Sequence, residues 1–204
     1  MSMTRRLATL LCTLVCALAV NGASAAGADP ALMQVQTLTR ALLASMRAGA
    51  GESMTARYRK LEPVIERVFA IPLMTRLAAG DAAWVRFPPK QQHAVIRAFL
   101  RYTTANYAHD FRRFDGQRFS VDRSVVNRSQ EKIVRAGLAS RNGTPTMLLY
   151  RMVEVHGVWK VVDVYYNGIS QLTLHRVDFA GAIASGGAPA LIAYLNKVSD
   201  DLMR

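Results

Sequence analysis

Two neighbouring segments, Thr144–His156 and Val158–Asn167, read as strands that are apolar on both faces, and this restricts the fold more than any other feature. Alternate side chains of a strand project to opposite sides. In the second segment Val162, Val164 and Tyr166 fall on one side, and Trp159, Val161 and Tyr165 on the other. The first repeats the pattern, with Leu148, Tyr150 and Met152 opposite Met147 and Leu149. Between them His156-Gly157 supplies a two-residue turn, because glycine tolerates the positive φ of a tight hairpin. Leaving either face in water forfeits the free energy of apolar burial. One face can pack on helices. The other needs a second helical layer, or it lines an internal apolar pocket, and the residues leave both solutions open. Asp163 interrupts this apolar run and, if ionised and buried, requires a partner. An arginine salt bridge is the expected one, and a role in ligand polarity or catalysis is the alternative.

The rest of the chain supplies helices before and after the strands, expected on one face of the sheet. Pro30–Ala48 places Leu32, Val35, Leu38, Leu42 and Met46 at three- and four-residue spacing, the period of one helix face. Met54–Phe69 does the same with Tyr58, Leu61, Ile65 and Val68 or Phe69, and Pro63 is expected to start a new turn or to kink it. Ile71-Pro72 reads as a break before a short helix, Leu73–Ala79. Pro88-Pro89 opens the longest helix, running to about Phe114. Its stripe Ile96, Phe99, Leu100, Thr103, Tyr107 and Phe111 is expected to pack on the sheet. From Gln117 the period becomes two, giving strands Arg118–Asn127 and Glu131–Ser140 before the hairpin, with a turn at Arg141-Asn142-Gly143. Gln171–Ser185 and Ala188–Leu202 are helical again, split by Gly186-Gly187. The order predicts an α+β domain: a curved antiparallel sheet of about four strands, packed with N- and C-terminal helices around an apolar pocket.

The N-terminus looks like a secretory leader. Arg5 and Arg6 form a basic start, Leu7–Val20 an apolar run, and Ala23-Ser24-Ala25 a small-x-small cleavage site. The run is too short for a spanning helix of about 20 residues. Residues 1–25 are therefore assigned to a signal peptide and 26–204 to a single exported, soluble domain. Both cysteines, Cys12 and Cys16, fall in the leader, so disulfides, cysteine catalysis and thiolate metal sites are excluded from the domain. About 180 remaining residues suffice for one domain with a sizeable core.

The net charge is +12, with 21 arginines against 5 lysines. Such a balance suits an anionic surface or an acidic partner. Export argues against nucleic acid, and the basic residues are scattered. No catalytic motif is present. His93, His109, His156 and His175 show no metal-ligand spacing with a carboxylate on a shared face. His109-Asp110 is the best acid/base pair, but adjacent helical residues point to different sides.

One ordered set of short motifs carries a resemblance. Tyr58-Arg-Lys-Leu-Glu-Pro-Val-Ile-Glu-Arg-Val-Phe69 is followed by Leu73-Met-Thr-Arg-Leu-Ala-Ala-Gly80, then by Gln91 and Gln92 ahead of Phe99 and Tyr107. Trp159-Lys160, Asp163, Gly168-Ile-Ser170, Phe179 and Gly186-Gly187 complete it. In this order the chain resembles the MlaC family, the toluene-tolerance auxiliary proteins of ABC transport. Gly168-Ile-Ser-Gln171 and Arg176-Val-Asp-Phe179 look closer to its hopanoid-associated HpnM branch.

The resemblance implies a periplasmic carrier, not an enzyme. It would have no cofactor, would hold a phospholipid or hopanoid as cargo, and would move it between an inner-membrane lipid transporter and an outer-membrane lipoprotein complex, with transient contact at the membrane surface. Combined with the doubly apolar hairpin and the aromatic helix face, it implies a lipid tail surrounded by Phe99, Tyr107, Leu148, Tyr150, Met152, Val162, Val164, Tyr166 and Phe179. An exported enzyme using the same pocket, or a ligand-free periplasmic adaptor, are the alternatives. N-terminal sequencing of the exported protein is expected to give a start near Ala26; a product retaining Leu7–Val20 would refute the leader.

Overall fold

The computed structural model describes residues 28–141 and 143–204. The expected leader lies outside them, as does Asn142 of the expected Arg141–Gly143 turn. Helix α1 (Pro30–Ala48) starts where the Asp29 carboxylate accepts from the Ala31 N–H at 2.9 Å. Its expected stripe, Leu32 to Met46, is buried. Helix α2 (Met54–Val68) is capped by Ser53, whose Oγ accepts from the Ala56 N–H at 3.2 Å. It runs straight through Pro63. That residue and Arg59, whose carbonyl loses its helical partner, are both exposed, so water replaces the missing bond.

Helix α3 (Ile71–Ala79) starts two residues earlier than expected. Pro72 begins it rather than breaking the chain, because a first-turn N–H has no helical acceptor to lose. After the single turn α4 (Asp81–Trp84), helix α5 spans Pro89–Asp110. It ends before the expected Phe114 because the Phe111 carbonyl is taken by α1, accepting from Ser45 Oγ at 3.0 Å. Helix α6 (Gln171–Leu202) is interrupted at Gly186-Gly187, where Gly187 has φ 65° and ψ −148°.

Five strands follow one another in an antiparallel meander: β1 (Arg118–Arg128), β2 (Glu131–Ala139), β3 (Thr146–Val155), β4 (Val158–Tyr166) and β5 (Ile169–Ser170). The two-residue β5 is too short to show a period in the sequence. The β3–β4 hairpin turns on His156 (φ 51°) and Gly157 (φ 78°), both in the left-handed region, as a two-residue turn of this type requires. The far edge of β4 is partly covered by the α2–α3 junction, where the Ala70 N–H donates to the Val161 carbonyl at 2.8 Å.

The two-sided apolarity resolves asymmetrically. Val134, Ala136, Leu148, Tyr150 and Met152 are buried on the helix-covered side, while Leu149, Val153 and Tyr165 on the other side are half-buried and Met147 is exposed. Among the described residues no second helical layer covers that outer face. Arg135 and Arg151 stand among its apolar groups, and Arg151 pairs with Glu131 at 2.9 Å.

A bulge modifies β4. Tyr150 pairs with Val164 and Arg151 with Asp163, but Met152 pairs with Val161, leaving Val162 as the extra residue. The alternation therefore changes phase. Trp159 and Val161, expected on the far side with Tyr165, share the covered side with Val164. Trp159 is there capped by Lys132 Nζ, 4.6 Å from the ring centroid, and Lys132 also pairs with Asp29 at 2.7 Å. Four successive residues, Val161 to Val164, are buried, which regular alternation above an open face would not produce.

Among the described residues Asp163 has no arginine partner. Its carboxylate accepts from Ser170 Oγ at 2.7 Å and from the Leu172 N–H at 3.0 Å, at the start of α6. Ser170 Oγ in turn accepts from the Thr173 N–H at 3.0 Å. Exposed N–H groups at a helix start stabilise a carboxylate. Asp163→Ala should cost about 1–3 kcal/mol, the range for orphaned buried donors. Ser170→Ala should cost about 1 kcal/mol, as for a lost N-cap. Urea denaturation that ranks the two in reverse would remove Asp163 from its anchoring role.

Candidate functional site

Helix α5 packs along α2 and α6 and reaches α3, so its apolar stripe meets helices, where the sequence suggested a sheet. Aromatic contacts fix it in two places. Phe99 lies 5.4 Å from Phe179 and 5.3 Å from His175, ring centre to ring centre. Nearer its C-terminus, Tyr107 lies 5.5 Å from Phe69 and 5.7 Å from Phe111, which stacks at 6.1 Å on Phe119 of β1. Between α5 and the sheet is a cavity of about 680 Å³, within the size range of small-ligand pockets.

Its sheet wall consists of Leu138 from β2, Leu148 and Tyr150 from β3, and Val164 and Tyr166 from β4. Helix α5 contributes Tyr102, Thr103, Asn106, Tyr107 and Asp110. Met46 from α1 and Met74 from α3 are buried parts of the lining, and methionine adapts to irregular contents. Phe111, Arg112, Arg113 and Gln117, with Gln171 and His175 of α6, complete it. Asp110, Arg113 and Tyr166 are exposed and so mark the mouth.

Of the expected pocket residues, Tyr107, Leu148, Tyr150, Val164 and Tyr166 line this cavity. Phe99, Met152, Val162 and Phe179 lie in the hydrophobic core instead. Phe99 and Phe179 are occupied with each other, and Met152 lies past Tyr150, opposite Val161. The sequence reasoning missed the second α5 stripe, Tyr102, Asn106 and Asp110. Its four-residue spacing beside the apolar stripe was a readable clue, as was Gln171 with His175 on α6.

The deeper wall is kept uncharged. Burial raises the phenols of Tyr107 and Tyr150 well above their ordinary pKa. Burial, with help from Tyr194 and Asp178, pushes Tyr102 up to about 12. Burial lowers the His175 imidazole, against the opposing pull of Asp178 and Asp163. The Thr103 hydroxyl is buried without a partner among the described residues. Charge collects at the mouth, where the Arg112 guanidinium donates to the His109 carbonyl.

His109 and Asp110 do meet, contrary to the divergence expected of neighbours: Nδ1 lies 3.3 Å from Oδ1 at the end of α5. Asp163 is not part of the lining. Among the described residues no group of three His, Cys, Asp or Glu side chains could hold a metal ion. The arrangement can enclose hydrocarbon while leaving a polar group at the solvent side.

A solved phospholipid-binding protein from Ralstonia solanacearum, in complex with a phospholipid, has the same fold. It matches with a TM-score of 0.72 over 85% of this chain and 99% of that chain, at 22% identity. No curated protein matches the chain. The family model described as MlaC protein matches residues 36–197, from within α1 to within the second half of α6 and including every strand. The chain belongs to the MlaC family.

Proposed function

We propose that this protein is a periplasmic lipid carrier. It encloses the tail region of a phospholipid, or of a hopanoid, between α5 and the sheet, and carries it between inner- and outer-membrane transport complexes. The observation that carries the reading is the cavity of about 680 Å³, walled by Met46, Met74, Leu148, Tyr150 and Val164. Family membership and the phospholipid held by the Ralstonia protein of the same fold support it. Binding rather than catalysis fits the distribution of polar groups, since the exposed charges Asp110 and Arg113 lie at the mouth and the buried methionines deeper.

Each CH₂ removed from water contributes about 0.8 kcal/mol. A bilayer offers nearly the same, so the carrier must stay close to balance with the membrane, and docking to a partner tips the exchange.

Native mass spectrometry of protein purified from its own periplasm should show a bound lipid and reveal its class. Val164→Glu places a carboxylate in the cavity wall and should abolish loading while the far-ultraviolet circular dichroism persists. Tyr165→Glu, on the outer face, should leave loading intact. A folded Val164→Glu protein with full cargo would sink the proposed site.

His175 makes stability depend on pH. Its folded pKa lies below the unfolded value of about 6.5, so the unfolded chain binds the proton more readily. Stability is full above that value and declines as pH falls through it towards the folded pKa. Thermal melts between pH 7.5 and 5 should show a smaller loss for His175→Phe than for the parent.

A further inference from the structure

The cavity wall carries two hydroxyls that the protein itself leaves unsatisfied. Tyr107 of α5 and Tyr150 of β3 line the space from its helical and its sheet side. Tyr150 is only 1% exposed. Among the described residues neither hydroxyl has a hydrogen-bond partner: burial alone raises the Tyr150 phenol, and burial, then Tyr150 and Asp110, raise that of Tyr107. The two phenols are therefore within electrostatic reach of each other. The Tyr107 ring is held between Phe69, at 5.5 Å, and Phe111, at 5.7 Å, so its hydroxyl cannot swing away to find a partner. A tyrosine outside the cavity behaves differently: the Tyr58 hydroxyl donates to Glu62 Oε1 at 2.8 Å.

The level of the phenols is set by the strand register. Leu148 pairs with Tyr166, exposed at the mouth, and Tyr150 pairs with Val164, which is buried. Tyr150 thus lies about 7 Å further in than Leu148, at 3.3 Å per residue. Water entering from the mouth can bond both phenols as long as no chain fills the space. An alkyl chain drives that water out. A phenol left facing only hydrocarbon then loses its bond, which weakens binding by about tenfold. A wall meant for hydrocarbon alone would be better built with phenylalanine at both positions.

We infer that Tyr107 and Tyr150 select a cargo with ester carbonyls just inside the mouth, each phenol donating a hydrogen bond to a carbonyl oxygen. This deepens the carrier reading and rests on it. In a diacyl lipid the ester carbonyls sit a few bonds below the headgroup. With the headgroup beside the exposed Asp110 and Arg113, the carbonyls reach the level of the phenols, and the chains continue past Met46 and Met74. A carbonyl accepts and has no donor of its own, so two phenol donors satisfy it and leave no polar atom unpaired on either side. A site built to hydrogen-bond a group discriminates against the analogue that lacks it. The phenols therefore act on which lipid is held, while the apolar wall supplies the affinity for its chains.

The test offers the exported protein, stripped of its cargo, an equimolar mixture of dipalmitoyl phosphatidylethanolamine and its dihexadecyl ether analogue. The two lipids share headgroup and chain length and differ only in the carbonyls. Native mass spectrometry separates them by mass and reads the ratio bound. The parent should prefer the ester lipid about tenfold. Tyr150→Phe keeps the ring and removes only the oxygen, so the fold should survive. It should bring the ratio towards parity by losing ester lipid, with ether lipid unchanged, and Tyr107→Phe should do so in part. Tyr165→Phe, on the outer face of the sheet, should keep the parental ratio. Equal loading of both lipids by the parent overturns the inference and leaves the carrier reading standing. A preference that survives in the variant combining Tyr107→Phe with Tyr150→Phe overturns it as well. If neither lipid loads on the parent, the carrier reading fails and takes the inference with it.

Discussion

The bond from Asp163 to the start of α6 determines where the final helix lies. That carboxylate sits in a strand interior, and its two acceptor contacts, to Ser170 and to the Leu172 N–H, turn the chain from β5 into the helix. Helix α6 then brings Gln171 and His175 to the cavity and Phe179 against Phe99. Since α5 rests on α2 and α6, its height above the sheet depends on that placement. A polar group in an apolar strand, expected to pair with an arginine, thus sets the cavity's width from outside its wall.

The frame around the cavity is strongly tied. Arg57 is buried and donates to the Gly49 carbonyl at 2.7 Å and to Ser45, while Ser45 Oγ donates to the Phe111 carbonyl. The C-terminal ends of α1 and α5 are thereby held together beside the cavity. Free carbonyls at helix ends attract cations, so one guanidinium serves two helices. With α5 held at its C-terminal end by this cluster and at its middle by the Phe99 aromatic group, the helix does not collapse onto Leu148 and Tyr150. An apolar space kept open in this way is compatible with a core packed elsewhere to ordinary density.

Much of the architecture was legible because it follows from simple periods. The α1 stripe, the change to period two at Gln117, the His156-Gly157 turn and the Gly186-Gly187 break all have local chemical causes, and all recur in the structure. Illegible were the features that depend on distant partners. No local pattern marks Val162 as a bulge, and one extra residue moved Val161 and Trp159 to the other face. The stripe of α5 is equally suited to a sheet or to helices, and only the tertiary arrangement decides. For that reason Tyr107, Val164 and three neighbours were placed on the cavity, while Phe99 and Phe179, equally aromatic and equally periodic, belong to the packing between α5 and α6.

The bare outer face of the sheet has a mechanical meaning. A sheet clamped between two helical layers can change its twist only if both layers move. Among the described residues the strands carrying Leu148, Tyr150 and Val164 have helices on one side and no helical layer on the other, so their curvature meets little resistance from behind. The two walls of the cavity are therefore unequal: α5 acts as a fixed beam, and the meander as a leaf spring whose bowing sets the girth of what the space can hold.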